Sequence, residues 1–284
     1  MLTKKMAPGL YLVATPIGAA RDITLRAMDI LQHADLLAAE DTRNTRKLLD
    51  IHGIKLGERQ IIAYHDHNGA AQRPKILATL AEGKIVAYVS DAGTPMVADP
   101  GFALSRAAVA DGFDVFAAPG ASALLAALCV AGLPTDQFFF AGFAPNKQGA
   151  RRKFYKSLAN IPATMVFYES PNRIHDALKD MLHSLGNRDV AVCRELTKKF
   201  ETVTRGDLET VITSAEPAIV AKGEFVVVLG PPIQELATDD DILAALAGSL
   251  ETMRMKDASN DVAERFGISR KRAYELALSL KGTG

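Results

Sequence analysis

Residues 84–101 read KIVAYVSDAGTPMVADPG. An apolar, β-branched run from Ile85 to Val89 stops abruptly at Ser90-Asp91-Ala92-Gly93-Thr94-Pro95, and helical spacing begins after Asp99-Pro100-Gly101. The order is strand, small-residue loop, helix, the unit from which parallel sheets are built. In such a sheet the loop at a strand's carboxyl end faces the ligand crevice, and small residues there let backbone amides and carbonyls approach a bound molecule. A plain βα turn explains the glycine and proline equally well. The loop lacks G-x-G-x-x-G and G-x-x-x-x-G-K-[ST], so neither the dinucleotide fingerprint nor the phosphate-binding P-loop accounts for it.

The same alternation runs on either side. Short apolar runs at 10–14, 35–39, 61–64 and 114–117 read as strands, and helical spacing occupies 24–32, the stretch up to 51, 72–80, 102–110 and 122–130. Thr24 is expected to cap the first helix. This predicts a mainly parallel α/β domain over 1–131. After the breaker cluster at 132–136 the pattern changes to five strands, at 138–140, 164–168, 190–193, 201–204 and 225–229, with two helices, 171–185 and 207–214. A second α/β domain with antiparallel pairing is expected over 132–236. From 237 to 284 the chain reads as helical, ending in a helix-turn-helix-like pair whose last helix opens with Arg270, Lys271 and Arg272. Asp257, Asp261, Glu264 and Glu275 offset that charge, which favours a packed hairpin over sequence-specific DNA recognition.

Composition narrows the class. The 284 residues are 48% hydrophobic, and Lys+Arg and Asp+Glu balance at 33 each. No global field draws in nucleic acid, so an RNA site has to be a local patch. The two cysteines, Cys129 and Cys193, sit far apart in apolar runs, as expected of buried thiols in a reducing compartment. No apolar run approaches membrane-spanning length and the first residues are too short for a signal peptide, so the expected location is the cytoplasm, without membrane contact.

SDAGTP followed by DPG, with TPIG at 15–18, AEDTR at 39–43 and APGASA at 118–123, resembles the tetrapyrrole methylase superfamily of S-adenosylmethionine-dependent methyltransferases. Within it, the chain is most similar to the RsmI type, which methylates a cytidine 2′-hydroxyl of 16S ribosomal RNA. The resemblance spans about the first four fifths of the chain and implies two α/β domains, a cofactor cleft between them, a homodimer, and 16S rRNA or the 30S subunit as partner. Carried over residue by residue, it implies cofactor contacts from Ala92, Gly93, Thr94 and Val97, from Pro16 and from Ser122 and Ala123. Glu169 and Leu196 would close the pocket from the second domain. Ala19 stands where the family pattern leads one to expect Asn, and Gly69 where an acidic residue is expected.

Methyl transfer to a hydroxyl needs an aligned cofactor, a positioned oxygen and a destination for the proton, but no metal. Glu40, Asp41, His65 and His67 lie just past strand ends and are candidates to orient the hydroxyl or accept its proton, and Arg43 is a candidate phosphate ligand. Asp41 or Thr42 is equally placed to cap the following helix. The two histidines lack the further ligands that a zinc site requires. The segment 146–156 carries five basic residues, Lys147, Arg151, Arg152, Lys153 and Lys156, and no acid. It reads either as a solvated helix face or as a clamp on the RNA backbone. Competing functions are methylation of a tetrapyrrole on the same scaffold, and non-enzymatic nucleic-acid binding through the C-terminal helices. The latter leaves the SDAGTP and APGASA loops without a role.

Overall fold

The computed structural model describes residues 6–65, 68–98, 101–214, 219–232 and 239–281. His67 lies outside the described residues. The chain divides into two compact units, Met1–Pro232 and Ile233–Gly284.

The first unit opens with β1 (Gly9–Val13), α1 (Leu25–His33), β2 (Leu36–Ala39), α2 (Thr42–Ile51), β3 (Gln60–Ala63), α3 (Gly69–Ala81), β4 (Ile85–Val89), α4 (Phe102–Ala110), β5 (Val115–Ala118) and α5 (Ala123–Ala131). Its five strands form a parallel sheet in the order β3-β2-β4-β1-β5. Side chains alternate across it with the period of two that strands impose. Tyr11, Val13, Leu37, Ala87 and Val89 meet Ala27, Ile30 and Leu31 of α1 and Leu49 of α2 on one face. Leu10, Leu12, Ala38, Val86 and Tyr88 meet Ile76 and Leu80 of α3 and Leu104 and Ala108 of α4 on the other. The neighbours β1 and β4 therefore send their following helices to opposite faces, an arrangement that places a parallel sheet's ligand crevice at the carboxyl ends of its strands. Thr24 caps α1 by accepting the Ala27 N–H, as its position predicts.

The second half of the unit adds β6 (Phe138–Phe143), α6 (Gln148–Ser157), β7 (Thr164–Glu169), α7 (Ile174–Leu185), β8 (Asp189–Arg194), β9 (Thr202–Asp207), α8 (Leu208–Thr213) and β10 (Phe225–Leu229). The sheet order is β6-β7-β10-β8-β9, with β6 parallel to β7 and the other pairs antiparallel. One face packs on Tyr155 of α6, Ile174, Leu178 and Met181 of α7 and Leu208 of α8. The other carries Val166, Ala191, Cys193, Val226 and Val228 against Ala127, Leu128 and Ala131 of α5. Helix α5 thus starts from a loop of the first sheet and packs on the second. The Ile233–Gly284 unit is a bundle of α9 (Asp239–Leu250), α10 (Met255–Phe266) and α11 (Arg270–Lys281) around Ile242, Leu246, Val262 and Ala277.

Three sequence expectations change. Helix α6 is not the wholly solvated helix face that QGARRKFYKS, with almost no apolar stripe, suggests. Its buried face is made by Tyr155 and by Arg151, itself only 3% exposed. Arg151 is not available to RNA phosphates: its guanidinium holds Asp180 of α7 at 2.6 and 2.8 Å, and Arg152 reaches the other carboxylate oxygen at 2.6 Å. Cys129 is exposed, not buried. Ala127, Leu128 and Ala131 turn to the sheet, whereas Cys129 shares the outer stripe of α5 with Leu125, four residues earlier. Burial does push the Cys193 thiol up, to about 12.

Among the described residues no helix is long and apolar enough to cross a membrane.

The Arg151–Asp180–Arg152 group ties α6 to α7. Burial works against ionisation of Asp180, but hydrogen bonds from Arg152 and Arg151 and their charges outweigh it, holding the carboxyl below its ordinary value. A lowered folded-state pKa contributes stability that is full above the unfolded value and is lost only as pH falls through the folded one. Asp180→Ala leaves Arg151 charged and buried and is expected to cost about 3–5 kcal/mol. Arg152→Ala, at a side chain 40% exposed, is expected to cost no more than about 1 kcal/mol. Urea denaturation at neutral pH measures both.

Candidate functional site

Strands β1, β4 and β5 are neighbours, so the loops that follow them, 14–24, 90–98 and 119–122, emerge side by side. Backbone hydrogen bonds join the first two in both directions, from Thr15 N–H to Gly93 O at 2.9 Å and from Gly93 N–H to Thr15 O at 3.0 Å. The Thr15 hydroxyl donates to Ser90 O at 3.0 Å, and the Thr94 hydroxyl donates to Ala121 O at 3.0 Å, which adds the third loop. Gly93 has φ +83, and a Cβ there would lie 3.3 Å from Ile17 Cγ2. A side chain at this position is penalised both by backbone conformation and by space.

Above these loops runs a cleft of about 380 Å³, lined by Ile17, Ala92, Gly93, Thr94, Val97, Ala98, Ser122 and Ala123 on one side and by Phe143, Tyr168, Glu169, Ser170, Pro171, Gly223, Glu224, Phe225 and Val226 on the other. Of the cofactor contacts that the resemblance implies, Ala92, Gly93, Thr94, Val97, Ser122, Ala123 and Glu169 all line this cleft. Pro16 faces a neighbouring cleft instead. Leu196 is buried beside Ile17 and Ala123 in the apolar layer beneath. Sequence reasoning missed the β10 contribution, Gly223 to Val226, because a strand opening carries no motif. It also missed the aromatic pair Phe143 and Tyr168, whose rings meet edge-on at 5.6 Å.

Glu169 is 4% exposed and is held by Arg173 at 3.1 Å and by the Ser170 N–H at 2.8 Å. Arg173 also donates to Ala144 O and to the Asn146 side chain. The carboxylate at the cleft wall is therefore anchored to the start of α6.

Backbone strain concentrates here. Among the described residues the non-glycine positions with left-handed φ are Met96, Ala98, Glu195 and Thr197. Ala98 lines the cleft, and Glu195 and Thr197 flank Leu196. Such conformations persist where surrounding structure imposes them, commonly at ligand sites. The loop at 195–198 locks against 18–19. The Ala19 N–H donates to Thr197 Oγ1 at 3.1 Å, and a Cβ on Gly18 would collide with Lys198 Cγ at 2.5 Å. Only glycine permits this approach.

A second cleft, of about 480 Å³, opens beside the first and shares Ile17, Ala92 and Glu224 with it. Its wall is more polar than that of the first, with Asn44, Thr45, Lys47, Asp91 and Lys198 beside Leu48, Ile51 and Val89. Lys198 is held between Glu224 at 2.6 Å and Glu195 at 2.9 Å. Burial opposes its charge, yet the two carboxylates outweigh that and raise its pKa.

The catalytic candidates read from the sequence are placed differently. Asp41 caps α2 through the Arg43 N–H and pairs with the Arg43 guanidinium at 2.5 Å. The hydrogen bonds from Arg43 lower its carboxyl to about 2, which makes it a weak proton acceptor. Glu40 and His65 are half-buried at the ends of β2 and β3. Glu40, Asp41, Arg43 and His65 are not among the residues lining either cleft. Of the basic segment, Lys153 and Lys156 are exposed on α6 and Lys147 is exposed at its N-cap. Among the described residues there is no metal-binding group of three or more His, Cys, Asp or Glu side chains.

The family model of the Tetrapyrrole (Corrin/Porphyrin) Methylases matches residues 9–212, and that of the RsmI C-terminal HTH domain matches 237–281. Ribosomal RNA small subunit methyltransferase I of Mesorhizobium japonicum is 44% identical over 284 residues, covering 99% of this chain and 95% of that protein. The protein of the same name from Escherichia coli O157:H7 is 41% identical, with 96% of each chain covered. Among solved structures, a cobalt precorrin-4 methyltransferase superposes with a TM-score of 0.58 at 19% identity, over 78% of this chain and 94% of its own. Diphthine synthase gives 0.58 at 16% identity, over 78% and 89%. These two share the fold, and their different names show that the fold by itself does not select a substrate. The full-length relatives are more specific: the chain belongs to the tetrapyrrole methylase family and, within it, to the ribosomal RNA small subunit methyltransferase I group.

Proposed function

We propose that the protein transfers a methyl group from S-adenosylmethionine to the ribose 2′-hydroxyl of a decoding-centre cytidine in 16S ribosomal RNA. The observation that carries this reading is the apolar, backbone-lined cleft over the Thr15–Gly93 pair, in a chain with full-length relatives named for ribosomal RNA methylation. A uroporphyrin-III C-methyltransferase from Thermus thermophilus with this fold, at TM-score 0.52 and 22% identity, was solved with S-adenosyl homocysteine. The residues here fit such a group. Gly93 leaves a cradle that a Cβ would fill, and Phe143, Tyr168, Phe225 and Val226 supply apolar walls for a flat base. Ser122 and Ala123 open α5, whose first-turn N–H groups suit an anionic carboxylate. When bound, the cofactor supplies an electrophilic methyl on a sulfonium. The chain's part is to align it, exclude water and place the acceptor oxygen.

Lys147, Lys153 and Lys156 are the exposed cations proposed to meet the RNA backbone; Arg151 is removed from that role, and Arg152, 40% exposed, is engaged with Asp180. Arg270 and Lys271 on α11 offer a second basic edge within the C-terminal unit. A homodimer is supported by the edge strand β6, whose Phe138 and Phe139 are both exposed. A cytoplasmic location agrees with a ribosomal substrate.

Two outcomes test this. Ala123→Phe fills the cleft from the first turn of α5 and is expected to weaken S-adenosylmethionine binding at least tenfold by calorimetry. Unchanged affinity in the folded variant would move the cofactor elsewhere. Replacing Lys147, Lys153 and Lys156 by alanine is expected to lower the log-log salt slope of 30S binding by about 0.7 to 0.9 for each phosphate that a lysine no longer neutralises. An unaltered slope returns these lysines to a solvated face.

A further inference from the structure

Cofactor binding leaves the polar cleft beside it without a role. We infer that this cleft receives the target nucleotide, with Asp91 as the group that takes the proton of the reacting 2′-hydroxyl and Lys47 as a ligand of the adjoining phosphodiester. This rests on the methyltransferase reading and adds the substrate's place and the acceptor to it.

Three observations converge. Asp91 and Ala92 are consecutive, so their Cα atoms lie about 3.8 Å apart. Ala92 lines both clefts and Asp91 lines the polar one. Asp91 thus lies in the second cleft and adjoins along the chain the residue that lines both, close to where a methyl donor and an acceptor have to come within about 3–3.5 Å.

The Asp91 carboxylate is oriented but not saturated. Oδ1 accepts the Asp41 N–H at 2.9 Å, and Oδ2 accepts the Asn44 amide at 3.2 Å. A carboxylate offers about four lone-pair positions, so each oxygen keeps capacity for a hydroxyl. Asp41, the more obvious acid by sequence, commits both its oxygens to Arg43 and lines neither cleft.

The third observation is Thr45. It is 2% exposed and lines the polar cleft, and its hydroxyl has no partner among the described residues. A buried hydroxyl of this kind normally finds a partner, and a ribose or base edge in the cleft provides one. Lys47, two residues on, is exposed at the rim and carries no ion pair among the described residues.

The step balances without a further reagent. The 2′-oxygen bonds to the methyl carbon as the carbon–sulfur bond breaks, the electron pair of that bond stays on sulfur, and the hydroxyl proton passes to the Asp91 carboxylate and then to water.

The experiment compares wild type, Asp91→Asn, Lys47→Ala and Thr45→Val in three measurements: S-adenosylmethionine binding by calorimetry, 30S binding across a salt series, and single-turnover methylation of 30S subunits. Asp91→Asn keeps the shape and is expected to bind cofactor and 30S normally while methylating about 100-fold to 10,000-fold more slowly. Lys47→Ala is expected to lower the salt slope by about 0.7 to 0.9 with cofactor affinity unchanged. Thr45→Val is expected to weaken 30S binding and leave cofactor affinity unchanged. Wild-type turnover in Asp91→Asn, or loss of cofactor binding in it, overturns the acceptor assignment. Wild-type 30S binding in both other variants overturns the nucleotide site. A wild-type protein that binds cofactor yet transfers no methyl to 30S sinks the underlying reading itself.

Discussion

The paired hydrogen bonds between Thr15 and Gly93 are the constraint on which the site depends. Parallel strands cannot be joined by tight turns, so each loop at the carboxyl edge of the sheet is independent unless something ties it to its neighbours. Here the two loops satisfy each other's backbone groups, and threonine hydroxyls at positions 15 and 94 extend the link to Ser90 and Ala121. Because buried backbone groups must find partners, this small ladder both closes the edge of the sheet and holds the cleft floor in one shape. Gly93 favours it: at φ +83 a side chain would be strained by the backbone and would crowd Ile17.

From that floor the rest of the first unit follows as support. Helix α5 begins at the third loop and packs on the opposite face of the second sheet from α6 and α7, so one rigid element carries the cleft floor into the core of the second sheet. The approach of Gly18 and Ala19 to the 196–198 loop makes a second tie. On the far wall Glu169 is fixed by Arg173, and Arg173 by Ala144 and Asn146. The start of α6 is fixed in turn through Arg151 and Asp180. A buried ion pair adds little net stability against an apolar equivalent, but leaving one partner unpaired is costly. Here the pair joins α6 to α7.

Much of this is legible in the sequence because it rests on local rules. The run IVAYV ending in a small-residue loop, and the strand-helix alternation around it, correspond to β4, its loop and the parallel sheet, and Thr24 before a helical stripe is the cap of α1. What is not legible depends on distant partners. Arg151 reads as a surface cation until Asp180, 29 residues away, is seen to bury it. Cys129 reads as buried because α5 is apolar all round, and only the packing decides which stripe faces the sheet. Asp91 sits within the very motif that identifies the fold, yet its neighbours Asp41 and Asn44 come from another strand-helix junction. The Gly223–Val226 wall has no signature because any apolar strand opening looks the same.

The apolar cleft over the Thr15–Gly93 pair is the proposed cofactor site. A crystal structure of the protein with S-adenosylhomocysteine tests it most directly. Density is expected between loops 92–97 and 122–123 on one side and Tyr168, Phe225 and Val226 on the other, with both Thr15–Gly93 hydrogen bonds intact. Density in the polar cleft beside Asn44 and Lys47, or a Thr15–Gly93 pair opened by the ligand, would contradict it.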